Sequence, residues 1–279
     1  MIAAVRAGLR RGLTEFGISL RTPSDVVFIL IGLVAVGVTL WLYRDVEAAP
    51  GVPLTWFILP SILTIQLVFI AGYGLATVVV TEREDGTLLR ARTLPRGLPV
   101  YASGVVTKTL AELVCTFVPT LVIAAILLGG RFGLDAVDLA IVLAMLVLGT
   151  LALTPFGFVV GTVFRNPRSV SGWGFLVVGL LAFVSGLVQP LASLPVWVQP
   201  LGLALPLYWI GHALRGAFLP GELGAFEVFG DWQFGLAFLV VGSWAVVGLL
   251  LAPRLLRRVA RRETASGIEL RRQAALQRA

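Results

Sequence analysis

The chain has 279 residues, 58% of them hydrophobic and only 13% charged, with a mean hydropathy of +0.95 and a formal net charge of +7. Soluble domains carry about a quarter charged residues, so a water-soluble globular fold is excluded. A single Cys and a single His leave little material for a disulfide framework or for metal sites built from those residues.

In residues 1–22 the apolar positions Ile2, Val5, Leu9, Leu13, Phe16 and Leu20 step by three or four, which gathers them on one helical face. Arg6, Arg10 and Arg11 interrupt them, and no uninterrupted apolar core precedes a cleavage site. The pattern predicts an amphipathic helix in the membrane interface with its arginines toward anionic headgroups. A packed cytoplasmic helix is the alternative. Apolar runs at 26–43, 54–80, 100–128, 137–164, 171–189 and 234–251 then predict six spans in an all-α membrane protein. Pro60, Pro119 and Pro155 fall inside spans, where neighbouring helices tolerate a kink. Gly157 and Gly161 make a small-xxx-small spacing that permits close helix contact.

Residues 190–231 are apolar but broken by Pro190, Pro195, Pro200, Pro206 and Pro220. The distribution of charge decides how they are read. With six spans and a cytoplasmic N-terminus, the inner segments collect most of the arginines, including Arg83, Arg90, Arg92, Arg96, Arg165 and Arg168. The outer segments hold Arg44, Arg131 and Arg215 against seven acids, Glu227 and Asp231 among them. A seventh span would carry the basic tail at 252–279 outside, against the positive-inside tendency. The proline-rich stretch is therefore predicted to be a re-entrant helical hairpin on the outer side, and the tail a cytoplasmic segment bound to anionic lipid. No nucleic-acid reading module accompanies that tail.

Three groups of residues stand out. The first is the loop at 82–99, where Asp85, Gly86 and Thr87 start a short helix that Pro95 stops. Acids and arginines are mixed around Leu88 and Leu89, a pattern that suits a grip for a cytoplasmic partner. A solvated charge run anchoring the membrane face is the competing view. The second group is intramembrane. Gln66, Tyr73 and Thr77 share one face at helical spacing, and Lys108 and Glu112 are neighbours at i, i+4, with Thr109, Thr116 and Thr120 nearby. Ionisable groups inside spans are costly and point to a pathway, with Gln66, Tyr73, Thr77, Glu112 and Thr116 as candidates; a local Lys108–Glu112 pair is the structural alternative. The third group is Tyr208, Trp209, His212 and Arg215 in the hairpin. Its aromatic residues, with Trp197, suit a membrane–water boundary, and the group reads either as an external gate or as a structural plug.

The order Glu82-Arg83-Glu84-x-Gly86-Thr87, followed by Leu89, Arg92 and Pro95, resembles the cytoplasmic loop of type-2 ABC exporter permeases of the drug-efflux-like branch. The stretch from Leu205 to Gly216, with its Ala213-Leu214-Arg215, is similar to that family's element ahead of the last span. The N-terminal helix, six spans and hairpin match its layout. The resemblance implies a transmembrane subunit that works as two halves, a homodimer or a pair of paralogues, in a bacterial cell membrane with both termini cytoplasmic. Each half would be gripped by a separate ATP-binding subunit holding ATP and Mg, so two copies of that subunit are implied. On this resemblance Glu82, Arg83, Glu84, Gly86 and Thr87 shape the coupling loop, and Leu88, Leu89, Arg90 and Arg92 meet the ATPase. No G-x-x-x-x-G-K-[ST] occurs, and the only lysine, Lys108, lacks the glycines of such a loop, so no nucleotide or other cofactor site is assigned to this chain. The expected function is export of a hydrophobic or amphipathic substrate, a drug or lipid-like molecule, by alternating access. Export of a glycan or lipid-linked polymer is the nearest alternative. A membrane-embedded lipid-modifying enzyme is the alternative of another class; it would need clustered acids, histidines or cysteines, and the acids Glu82, Glu84 and Asp85 have no histidine beside them.

Overall fold

The computed structural model describes residues 2–84, 87, 90, 93–94, 97–129, 134–164 and 167–262. Helix α1 (Ile2–Ser19) ends before Thr22, and Pro23 opens α2 (Pro23–Tyr43) in the first turn, where a missing N–H costs nothing. A small antiparallel hairpin follows, β1 (Glu47–Ala49) against β2 (Val52–Pro53), turning at Gly51 with φ +75. The second long rod is compound: α3 (Thr55–Leu67), a π-helical segment Val68–Gly74, and α4 (Leu75–Glu84). Next come α5 (Gly97–Leu128) and α6 (Ala136–Val163). Asp135 caps α6 by accepting from the Val137 and Asp138 N–H groups at 2.7 and 2.8 Å, while Asp138 Oδ2 accepts from the Asp135 N–H at 3.1 Å.

Helix α7 (Pro167–Val184) is shorter than the expected span at 171–189. The chain turns at Gly186, whose φ of +69 favours a residue without Cβ, and Pro190 follows. Two short helices, α8 (Gln199–Ala204) and α9 (Pro206–Phe218), and 3-10 turns at Leu191–Ser193 and Gly221–Phe226 fill the proline-rich stretch. At 1.5 Å per residue α9 is about 20 Å long, too short to cross a hydrocarbon core of about 30 Å. The last helix, α10 (Phe234–Arg262), runs unbroken past the expected boundary at 251 into the basic segment. Among the described residues, five helices are long and apolar enough to cross a membrane, at Pro23–Tyr43, Thr55–Glu82, Gly97–Leu128, Ala136–Gly161 and Phe234–Leu251. Gly172–Val184 adds a shorter apolar helix. The protein is an all-α multi-pass membrane protein.

Helix α6 is the hub, packed against α4, the π segment, α9 and α10. Its Gly157 and Gly161 supply a close approach of the kind that their spacing permits. A Cβ at Gly157 would lie 2.8 Å from Gly72 O, and one at Gly161 would lie 2.9 Å from Val79 Cβ. Leu63, Leu67, Leu113, Met145, Leu153 and Ile210 fill the main core. Large apolar side chains such as Phe28, Ile31, Ile126, Phe175 and Leu239 stay on the outside. That arrangement suits a lipid solvent, where exposed apolar surface carries no hydrophobic penalty.

Candidate functional site

At the end of the bundle where α4 stops and α5 begins, α1 lies along α5. The two helices approach closely because of glycines. A Cβ at Gly12 would collide with the Gly104 carbonyl oxygen, and one at Gly8 would collide with the Ser103 side chain. This contact turns Arg11 inward and leaves Val5, Leu9 and Leu13 exposed on the other side. Arg11 Nε donates to Glu15 Oε1 at 2.6 Å, and Arg11 Nη2 donates to Glu82 Oε1 on the last turn of α4 at 3.2 Å. The guanidinium also stands over the Tyr101 ring, 5.0 Å from its centroid, at the upper end of the range for a cation–π contact. Tyr101, in the first turns of α5, is fully buried, and its hydroxyl has no hydrogen-bond partner among the described residues. Of the loop residues singled out in the sequence, Gly86, Leu88, Leu89 and Arg92 lie outside the described residues, as do the side chains of Arg83 and Glu84. Thr87 and Arg90 are helical, and the Arg90 carbonyl accepts from Thr93 Oγ1 at 2.8 Å.

The intramembrane polar residues do not converge on one face. The π segment adds a residue to the turn between Gln66 and Tyr73, so the α-helical arithmetic that aligns them fails. Gln66 Nε2 donates to Thr120 Oγ1 on α5 at 2.8 Å, and its Oε1 is buried without a partner. Tyr73 turns elsewhere: a Cβ at Gly174 on α7 would lie 2.8 Å from its ring, and Phe69 packs edge-on against it at 5.8 Å. The hydroxyls of Thr77 and Thr116 donate to carbonyls of their own helices, Tyr73 O at 3.1 Å and Leu113 O at 3.0 Å. Lys108 Nζ stands 3.4 Å from Glu112 Oε1, both side chains about a quarter exposed. That is the local pair the spacing allows.

At the opposite end, Tyr208, Trp209, His212 and Arg215 come together on α9, but not at a wet boundary. Trp197 is exposed, whereas Tyr208 and Trp209 are buried, because α9 is enclosed by α3, α6 and α10. Their polar tips find protein partners instead: Trp209 Nε1 donates to Leu203 O at 2.8 Å and Tyr208 Oη donates to Glu227 Oε2 at 3.0 Å. Arg215 holds the same carboxylate bidentately, Nε to Oε1 at 2.6 Å and Nη2 to Oε2 at 3.2 Å. His212 Nε2 accepts from the Gln233 N–H at 2.9 Å. That acceptance places the proton of the neutral ring on Nδ1, which lies 3.1 Å from Glu227 Oε2. Burial alone would raise the Glu227 carboxyl. The Arg215 charge and the bonds from His212 and Arg215 outweigh it and hold the group well below the ordinary carboxylate range. Burial, reinforced by the Glu227 charge, pushes the Tyr208 hydroxyl well above its usual value.

Sequence reasoning overlooked Glu227 and Gln233 as partners of α9, Thr120 as partner of Gln66, and Arg11 and Tyr101 as partners of Glu82. Glu227 was visible only as one of several outer acids. Arg11 and Glu82 are 71 positions apart, and no local spacing signals such a contact. Among the described residues no group of His, Cys, Asp and Glu side chains is arranged to hold a metal ion.

Over 208 residues the chain is 30% identical to the daunorubicin resistance ABC transporter permease protein DrrB1 of Streptomyces coeruleorubidus, covering 72% of this chain and 68% of that protein. Residues 15–219, from the end of α1 through α9, match the family described as ABC-2 type transporter. A match of that extent, joined to the helical membrane architecture, places the chain in the ABC-2 type transporter family as a permease subunit.

Proposed function

We propose that the chain is the transmembrane half of an ATP-driven exporter that moves a hydrophobic or amphipathic molecule, drug or lipid-like, out of a bacterial cell. Two halves, identical or paralogous, form the pathway. A separate subunit binds and hydrolyses ATP with Mg and grips each half at residues 82–99. The observation that carries this reading is the mixed segment of acids and arginines between two long apolar rods, in a chain whose family is one of ABC permeases. A connection between spans needs no such alternation, whereas a protein partner is recognised by complementary charge around an apolar centre.

In this reading Glu82, Arg83, Glu84, Gly86 and Thr87 set the shape of the loop, and Leu88 to Arg92 form its contact with the ATPase. Both termini and the loop face the cytoplasm, which follows from the arginine distribution, and the α8–α9 hairpin faces outward. ATP draws the two ATP-binding subunits together, the loops move with them, and the spans repack from inward to outward access. Gln66, Glu112 and Thr116 remain the pathway candidates; Tyr73 and Thr77 stand on the neighbouring side of the π segment. The substrate class takes its support from the name of the relative, a daunorubicin resistance protein.

The reading is tested by affinity purification of the full chain from mild detergent. An ATP-binding subunit is expected to be retained in equal number. Recovery of the permease alone from cells of its native host would overturn the proposal.

A further inference from the structure

The loop that the proposed function makes the contact for the ATPase has two bases, the end of α4 and the start of α5. One side chain, from neither helix, touches both. Arg11 on α1 donates to Glu82 at the loop's entry and stands over Tyr101 at its exit. Its own position is set twice over, by the 2.6 Å bond to Glu15 one turn along α1 and by the close approach of Gly8 and Gly12 to α5. From this geometry we infer that Arg11 is a positioning residue for coupling, a clamp that fixes the spacing between Glu82 and Tyr101 so that motion of the loop is delivered to α4 and α5 together.

The chemistry suits a clamp that must transmit and still yield. The Arg11 and Glu82 side chains keep 25% and 19% of their surface, and a single 3.2 Å contact joins them. A planar guanidinium can hold a carboxylate at its edge while its face rests on an aromatic ring, which an ammonium does less well. Without Arg11, Glu82 and Tyr101 remain in their helices, but nothing on α1 ties one to the other. A push on the loop can then change their separation instead of moving the rods. Helix α1 is thus part of the mounting of the loop as well as a helix with an apolar outer face.

This inference rests on the proposed function, and its test separates the two. The full chain is co-purified with its ATP-binding subunit, reconstituted in lipid nanodiscs, and assayed for ATP hydrolysis over a range of Mg-ATP. Arg11→Ala is expected to lower the permease-dependent kcat about fivefold or more, with the KM for ATP and the subunit ratio unchanged. Arg11→Lys should retain an intermediate rate, since it keeps the charge but not the fork. Arg11→Glu alone should be the worst variant, placing three carboxylates together. Adding Glu82→Arg should restore most of its rate. An unchanged kcat in Arg11→Ala overturns the inference. So does a loss that the double reversal fails to recover, or one that tracks a falling subunit ratio, because a helix needed only for folding behaves that way. If the wild-type chain binds no ATPase subunit, the proposed function itself has failed and the clamp has nothing to couple.

Discussion

The two ends of the bundle use the same three residue types and assemble them differently. At one end Arg11, Glu82 and Tyr101 meet from α1, α4 and α5, through a single 3.2 Å ion contact between side chains that keep about a fifth to a quarter of their surface. At the other, Arg215, Glu227 and Tyr208 form a bidentate pair with a further hydrogen bond, and Arg215 is 4% exposed. The hairpin group also engages the ring of His212, whose Nε2 accepts from the backbone of Gln233 and whose Nδ1 lies 3.1 Å from Glu227 Oε2. A buried, fully partnered carboxylate makes a fixed joint, because opening it strands charges in a low-dielectric interior. A contact that keeps about a fifth to a quarter of its surface open to solvent exchanges partners at less cost. The hairpin therefore moves as one body if it gates, whereas the loop base can adjust.

The sharpest way to break this contrast is at the joint. Glu227→Ala leaves Arg215 buried and unpaired, and a loss of about 3–5 kcal/mol is expected. Thermal unfolding in detergent should show it as a large fall in midpoint, and a midpoint close to wild type would contradict the fixed-joint account. Acid probes the same group. The folded carboxyl ionises below its ordinary value of 4.5. Its contribution is complete above that pH and is lost progressively as the pH falls from about 4.5 toward the folded value. Denaturation midpoints of the wild type should therefore decline in that window, and Glu227→Gln should flatten the decline. An identical acid limb in both proteins would count against the assignment.

Smaller effects sharpen the other side. Gln66→Leu removes the bond to Thr120 between α3 and α5 and should cost roughly 0.6–2 kcal/mol, visible as a modest shift in unfolding midpoint. Arg11→Ala should cost no more than about 1 kcal/mol of stability, so its expected loss of coupling would stand out against an almost unchanged midpoint. The smallest effect belongs to Glu112→Gln. An i, i+4 pair of this exposure is worth about 0.3–0.5 kcal/mol, so a loss of export in that variant would report a place in the pathway and not a failure to fold. Full export by Glu112→Gln would remove it from the pathway candidates.

Most of the architecture could be read from the chain because hydrophobic runs and proline breaks act locally. The apolar runs place the long helices, and Gly157 and Gly161 mark a place of close helix contact, although their spacing does not say that the partner is α4. Two local expectations failed for identifiable reasons. The π segment Val68–Gly74 changes the phase of the second rod, so Gln66 turns to α5 and Tyr73 to α7, and no periodicity in the sequence marks where a helix widens. Tyr208 and Trp209 carry boundary-type side chains, yet α9 is enclosed on all sides by other helices, a tertiary fact invisible to composition. The partners of the site residues were the least legible part. Glu227 lies 12 positions beyond Arg215 across a 3-10 turn, and Arg11 lies two whole spans before Glu82.

The central claim, that residues 82–99 take up the work of an ATPase, is met most directly by ATP hydrolysis in the reconstituted complex with the loop charges reversed. Wild-type permease in lipid should raise the hydrolysis rate of its ATP-binding subunit, and the Glu84→Arg, Arg92→Glu double variant should insert normally yet leave that rate at the level of the isolated subunit. An equal stimulation by the double variant, or none by the wild type, would contradict the account.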